Sequence, residues 1–143
     1  MGKCVRIIIS GSRRYNNFNI FSECITNLIL KISIKDNLDP DNDIIEIITG
    51  MAVGTDLMAI KYVYLKPEYD LIKLVPFEPK FWIHGDKAGE IRNKEMAEYA
   101  IKGDSYYLYA FWNGNNGGTK HMIDTAALYN IPIYIHRIQE EYV

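Results

Sequence analysis

The sequence predicts an α/β fold, a three-layer sandwich on a mainly parallel five-stranded sheet. Three observations carry this reading. Apolar runs alternate with segments of helical spacing in the order β-α-β-α-β-α-β-α-β, which calls for right-handed crossovers and helices on both sheet faces. The runs are short and near-continuous, as strands covered on both faces are. Three of them lead into a glycine-bearing turn that opens a helix. A chain of 143 residues suits one domain, 1–143, with a single core.

Val5–Ser10 is the first strand. Helical spacing follows from Ile20 to Ile32, through Cys24, Ile25 and Leu28. Lys35–Asp43 reads as an exposed loop, and its carboxylates do not complete a calcium-loop pattern. Ile44–Thr49 is the second strand, and Asp56–Tyr64 the second helix with Thr55 as N-cap. Leu71–Pro76 is the third strand, Phe77–Asp86 an irregular stretch, and Lys87–Ala100 the third helix. Tyr106–Phe111, Thr119–Tyr129 and Pro132–His136 supply the last strand, helix and strand.

Bulk properties narrow the function classes. Apolar residues make up 48% and charged residues 24%, the balance of a soluble globular chain. No apolar run approaches the ~18 residues of a membrane span, so no membrane partner is expected. Met1–Arg6 leads straight toward a strand without an apolar leader stretch, and a cytoplasmic address is expected. A formal net charge of −2 speaks against nucleic acid as partner. Cys4 and Cys24 are expected to be buried reduced thiols. His84, His121 and His136 lack metal-ligand spacing, so no metal is expected, and no cofactor. No nucleophile elbow for a Ser-His-Asp arrangement occurs.

In a parallel sheet, all strand-to-helix turns fall on the carboxyl edge and share one crevice. The first turn offers Gly11, Ser12, Arg13 and Arg14. Arginine suits bidentate phosphate contact, and the alternative is a solvated pair. The second, Gly50 to Asp56, brings Gly50 and Gly54 as amides for a phosphate. Asp56 either meets a ribose hydroxyl or merely favours the helix start. The third places Gly117, Gly118 and Thr119 before Lys120, a phosphate-binding loop that is neither a Walker A loop nor the dinucleotide fingerprint. Arg92 and Asn93 stand early in the third helix, with Glu95 as a possible surface partner of Arg92. Trp82 and Trp112 either stack on a base or fill the core.

Taken in order, Gly11-Ser12-Arg13, Gly50–Asp56, Ala88–Met96, Phe111–Gly114 and Gly117-Gly118-Thr119 resemble the SLOG superfamily. They are most similar to its small YspA-like (DUF2493-type) branch. The resemblance spans nearly the whole chain. It implies a Rossmann-like fold, a nucleotide or nucleotide-derived ligand, and a homo-oligomer. Related proteins include Lonely Guy phosphoribohydrolases and the DNA-processing protein DprA. Arg92 matches the family arginine. The phosphoribohydrolase pattern has Glu three residues after its Thr, whereas Met122 stands there in this chain. A thioether cannot replace a carboxylate in glycosidic cleavage.

Two functions follow as expectations. One is binding of a nucleotide-derived small molecule, as a sensor or a sequestering protein. Its ligand contacts are Gly11, Ser12, Arg13, Gly50, Gly54, Asp56, Arg92, Asn93, Gly117, Gly118 and Thr119. The alternative is N-glycosidic cleavage, with Glu95 or Asp124 as the catalytic carboxylate.

Overall fold

A computed structural model describes residues 2–50, 54–65 and 71–139. Met51, Ala52 and Val53 of the second turn lie outside the described residues. All five strands are parallel, in the order β3-β2-β1-β4-β5. They are β1 Cys4–Gly11, β2 Ile44–Thr49, β3 Ile72–Pro76, β4 Ser105–Trp112 and β5 Ile133–Arg137. The helices are α1 Phe18–Lys35, α2 Thr55–Leu65, α3 Phe81–His84, α4 Ala88–Ala100 and α5 Gly118–Leu128. The architecture is Rossmann-like.

Strand alternation divides the apolar runs between two cores. Val5, Ile7, Ile9, Ile45, Ile47 and Phe111 pack with α1 and α2 through Phe21, Ile25, Met58 and Tyr62. Ile8, Ile48, Leu108 and Ala110 pack with α4 and α5 through Met96, Ala97, Met122 and Ala126. Successive side chains therefore enter opposite faces, and both faces are covered. That is why the runs carry no polar alternation.

α1 is longer than its periodicity predicts. Asn17 starts it by accepting the Ile20 N–H at 3.1 Å. Its end is a Schellman turn: Asn37 has φ 51°, and the Leu38 N–H reaches the Ser33 carbonyl at 2.9 Å. The loop that follows is pinned by Asp43, which accepts the Lys3 N–H at 2.6 Å and the Asp39 N–H at 2.7 Å. Asp43 is thus buried rather than exposed as the loop reading had it. Its carboxyl lies below the usual range because those two amides favour the charged form, Asp39's first.

Other differences from expectation are local. Phe77–Asp86 is not wholly irregular: α3 is a single turn, and a 3-10 turn over Gly85–Lys87 joins it to α4. Thr55 is the first residue of α2, and its hydroxyl donates to the Ser12 carbonyl at 2.9 Å. Cys4 and Cys24 are free thiols, but half-buried. Trp82 is 72% exposed and does not fill the core. Among the described residues, no helix is long and apolar enough to cross a membrane.

Near the amino ends of β1 and β2, Glu46 accepts from Arg6 Nε at 2.8 Å and from the Tyr99 hydroxyl at 2.7 Å. The Arg6 guanidinium lies over the Tyr99 ring, 3.8 Å from its centroid. Burial pushes the Glu46 carboxyl up, but the Tyr99 and Arg6 hydrogen bonds outweigh it and leave it below the ordinary range. This polar knot sits well away from the carboxyl edge, where the candidate site lies.

Candidate functional site

β1 and β4 are neighbours in the sheet, yet their following helices pack on opposite faces. The chain therefore splits between the carboxyl ends of these two strands. Such a switch point is where open α/β sheets hold ligands. A crevice of about 320 Å³ lies there. Ser10 to Arg14 line it from the β1 side, and Trp112, Asn113 and Asn115 to Thr119 from the β4 side. Asp56 from α2 and Arg92 from α4 complete the lining.

The first turn is fixed from below. The Ser12 N–H bonds the Phe111 carbonyl at 3.2 Å, and the Thr55 N–H and hydroxyl both meet the Ser12 carbonyl. A Cβ on Gly11 would stand 2.5 Å from Thr55 Oγ1, so only glycine lets α2 dock here. Gly54, at φ 72°, faces the Arg13 and Ser12 carbonyls with no room for a side chain. Ser12 Oγ accepts the Arg14 N–H at 3.1 Å. Arg13 and Arg14 leave this turn exposed at the crevice.

Arg92 is positioned by two acceptors. Its Nη1 donates to the Gly50 carbonyl at 3.0 Å and its Nη2 to Asn93 Oδ1 at 3.2 Å. A Cβ on Gly50 would lie 2.7 Å from the Arg92 Cζ, so the bare backbone gives the guanidinium its place. Arg92 Nε is buried and has no partner among the described residues. Burial lowers the Arg92 pKa first; the Asp56 carboxylate pulls it up, and the charge of Arg13 pushes it down again. A partly desolvated cation beside a second cation is stabilised by an incoming anion.

α5 begins at the crevice without a cap. Gly117 at φ 147° precedes it and offers no side chain as a cap, and its first turn holds no acidic residue. The first N–H groups of a helix have no intrahelical acceptor and carry the positive end of its dipole. The loop before it is braced by the Trp112 indole, which donates to the Asn115 carbonyl at 2.8 Å. The Arg137 guanidinium lies 5.5 Å from the Trp112 ring and against Gly114.

The structure brings Gly11, Ser12, Arg13, Asp56, Arg92, Gly117, Gly118 and Thr119 into one lining. Gly50, Gly54 and Asn93 stand behind it, as supports of Arg92 and of the first turn. Glu95 is exposed on α4 and outside the lining, and Asp124 is exposed on α5, paired with Lys120 at 2.6 Å. Asp56 is the one carboxylate of the lining among the described residues. The sequence-predicted contacts left out Ser10, at the end of β1, and Asn113, Asn115 and Asn116, although the run of polar residues before Gly117 marked the three asparagines as part of the third turn. Among the described residues no group of three or more His, Cys, Asp or Glu could hold a metal ion. Comparison with models of known families, with curated proteins and with solved structures finds no match to this chain.

Proposed function

We propose that the chain binds a phosphate-bearing, nucleotide-derived small molecule in the crevice between the ends of β1 and β4. One observation carries the reading: Arg13, Arg14, Arg92 and the uncapped start of α5 converge on a single cavity whose lining, among the described residues, holds one carboxylate. Guanidinium groups and helix-start amides are complementary to phosphate oxygens. About 320 Å³ falls at the small end of ligand pockets, which favours a mononucleotide-sized molecule over a dinucleotide. Asp56, beside the cationic groups, accepts from a ribose hydroxyl. The nucleotide part of the reading, like membership of the SLOG superfamily and self-association, rests on the motif resemblance. Sedimentation velocity measures the last.

The N-glycosidase reading has less support. Glycosidic cleavage needs a carboxylate near the anomeric carbon, and Glu95 and Asp124 lie outside the lining. Asp56 is the one carboxylate of the lining among the described residues, and free base released from nucleoside monophosphates would favour cleavage. The test of binding is mass spectrometry of any molecule that co-purifies, followed by calorimetry against a nucleotide panel. Arg92→Ala is expected to weaken binding by about 10- to 100-fold, the worth of a charge-assisted hydrogen bond. Equal affinity of Arg92→Ala and the wild type would remove Arg92 from the site.

A further inference from the structure

The outward face of α4 carries an ordered set of charges. Lys87, directly before the helix and already helical in backbone conformation, is followed by Glu90, Lys94 and Glu98. Residues three or four apart share a helix face. All four are exposed, while Asn93, Met96, Ala97 and Ala100 form the buried face of the same helix. Among the described residues none of the four forms an ion pair within the chain. Half-buried Ile91 sits midway along this stripe. Beside it, a mainly apolar cavity of about 410 Å³ opens between α4 and α5, lined in part by Ile91, Leu128 and Tyr129. Leu128 is 83% exposed.

We infer that this face of α4, with the cavity beside it, is an interface on which a second copy of the chain packs with its own α4 antiparallel. Read along the helix, the signs run positive, negative, positive, negative. Reversing the direction inverts every sign. An antiparallel copy therefore sets Lys87 against Glu98 and Glu90 against Lys94, each pair twice. Both pairs centre on the same point of the helix, at Arg92 and Asn93, so one register serves all four. A parallel copy sets like charge against like. A two-fold contact requires this self-complementarity, because each residue meets its counterpart's partner in both directions.

The alternation also selects against other occupants. A surface of one sign, such as nucleic acid or an acidic bilayer, meets as many repulsions as attractions on this stripe. Charges placed in this way fix register and partner more than affinity. The apolar side chains Ile91, Leu128 and Tyr129 supply the area to be buried, inside a charged rim. None of the four charged residues lines the crevice. The inference stands on the stripe and the cavity, and on neither the ligand reading nor the motif resemblance.

The test is sedimentation velocity on the whole chain, with two charge reversals made separately and then mixed. The wild type is expected to be a dimer at about 100 μM, which a micromolar dissociation constant ensures. Glu90→Lys sets its new lysine against Lys94 of the other copy, and Lys94→Glu sets its new glutamate against Glu90. Each variant is expected to dimerise at least about tenfold more weakly, since two attractions become two repulsions. Mixed one to one, the two variants are expected to dimerise again, because the lysines of one then face the glutamates of the other. Lys87→Glu and Glu98→Lys repeat the exchange at the ends of the stripe, should one of the first pair fail to fold. A monomeric wild type, folded variants that dimerise like the wild type, or a mixture of folded variants that stays monomeric would each overturn the inference. Dimers that persist in every variant would place self-association on another surface. Nucleotide binding is read separately, so its absence would leave this result standing.

Discussion

At Gly50 the lack of a side chain is what lets Arg92 lie across the backbone. A methyl group there would stand 2.7 Å from the guanidinium carbon. Gly50→Ala is therefore expected to act on binding through Arg92. It should cost about as much affinity as Arg92→Ala, and the double variant should be no worse than either single one. A double-mutant cycle by calorimetry checks this; additive losses would mean that the two residues act independently. The sequence marked Gly50 and Gly54 as special but not why. A glycine that approaches a ligand and a glycine that admits another side chain look the same in a chain read alone. The difference lies in Arg92, 42 residues away, and in the Arg13 carbonyl above Gly54.

The core face of α1 was legible in part: Ile25, Leu28 and Ile32 recur at helical spacing and are buried, whereas Ile20 of the same spacing is exposed, and the buried Phe21 and Ile29 were not read from the sequence. Phe21 is fully buried, 4.9 Å from Phe111 between ring centroids. Phe21→Ala is expected to destabilise the fold by about 3–5 kcal/mol in urea unfolding. The ends of α1 and α5 are set by Asn37 and Asn130, both at positive φ. Asn37→Ala is expected to cost about 1–2 kcal/mol, since alanine tolerates that conformation poorly. A cost near zero would show that the turn re-forms without it. What the sequence hid was helical phase relative to the sheet. α5 turns Met122, Thr125 and Ala126 inward, so Asp124 faces out; α4 turns Asn93, Met96 and Ala97 inward, so Glu95 does likewise.

For the whole molecule, strand order decides the site. The order β3-β2-β1-β4-β5 brings the turns after β1 and β4 to one crevice. The alternation of elements made that edge legible, because every turn after a parallel strand falls on it. The order itself, and the short α3, were not, since pairing and one-turn helices leave little periodic trace. The fold also sets a pH range. Glu46 and Asp43 titrate below the ordinary carboxylate value when folded. Their stabilisation is complete above the unfolded value of about 4 and drains as pH falls through the lower folded values. Glu46→Gln is expected to flatten the acid limb of a circular-dichroism titration, and an unchanged slope would show that Glu46 does not drive it. Tyr99 is pushed up to about 12, by burial first and then by Glu46. Its contribution is whole below about 10, the free tyrosine value, and is lost as pH rises through 12.

An anionic metabolite is expected to bind where β1 and β4 end. Amide chemical-shift mapping during titration with a nucleoside monophosphate measures this most directly. Saturable shifts are expected to concentrate at Arg14, Gly117, Gly118 and Thr119, and at the Arg92 side chain. Saturable shifts centred on another part of the surface, or none up to millimolar ligand across the nucleotide panel, would contradict it.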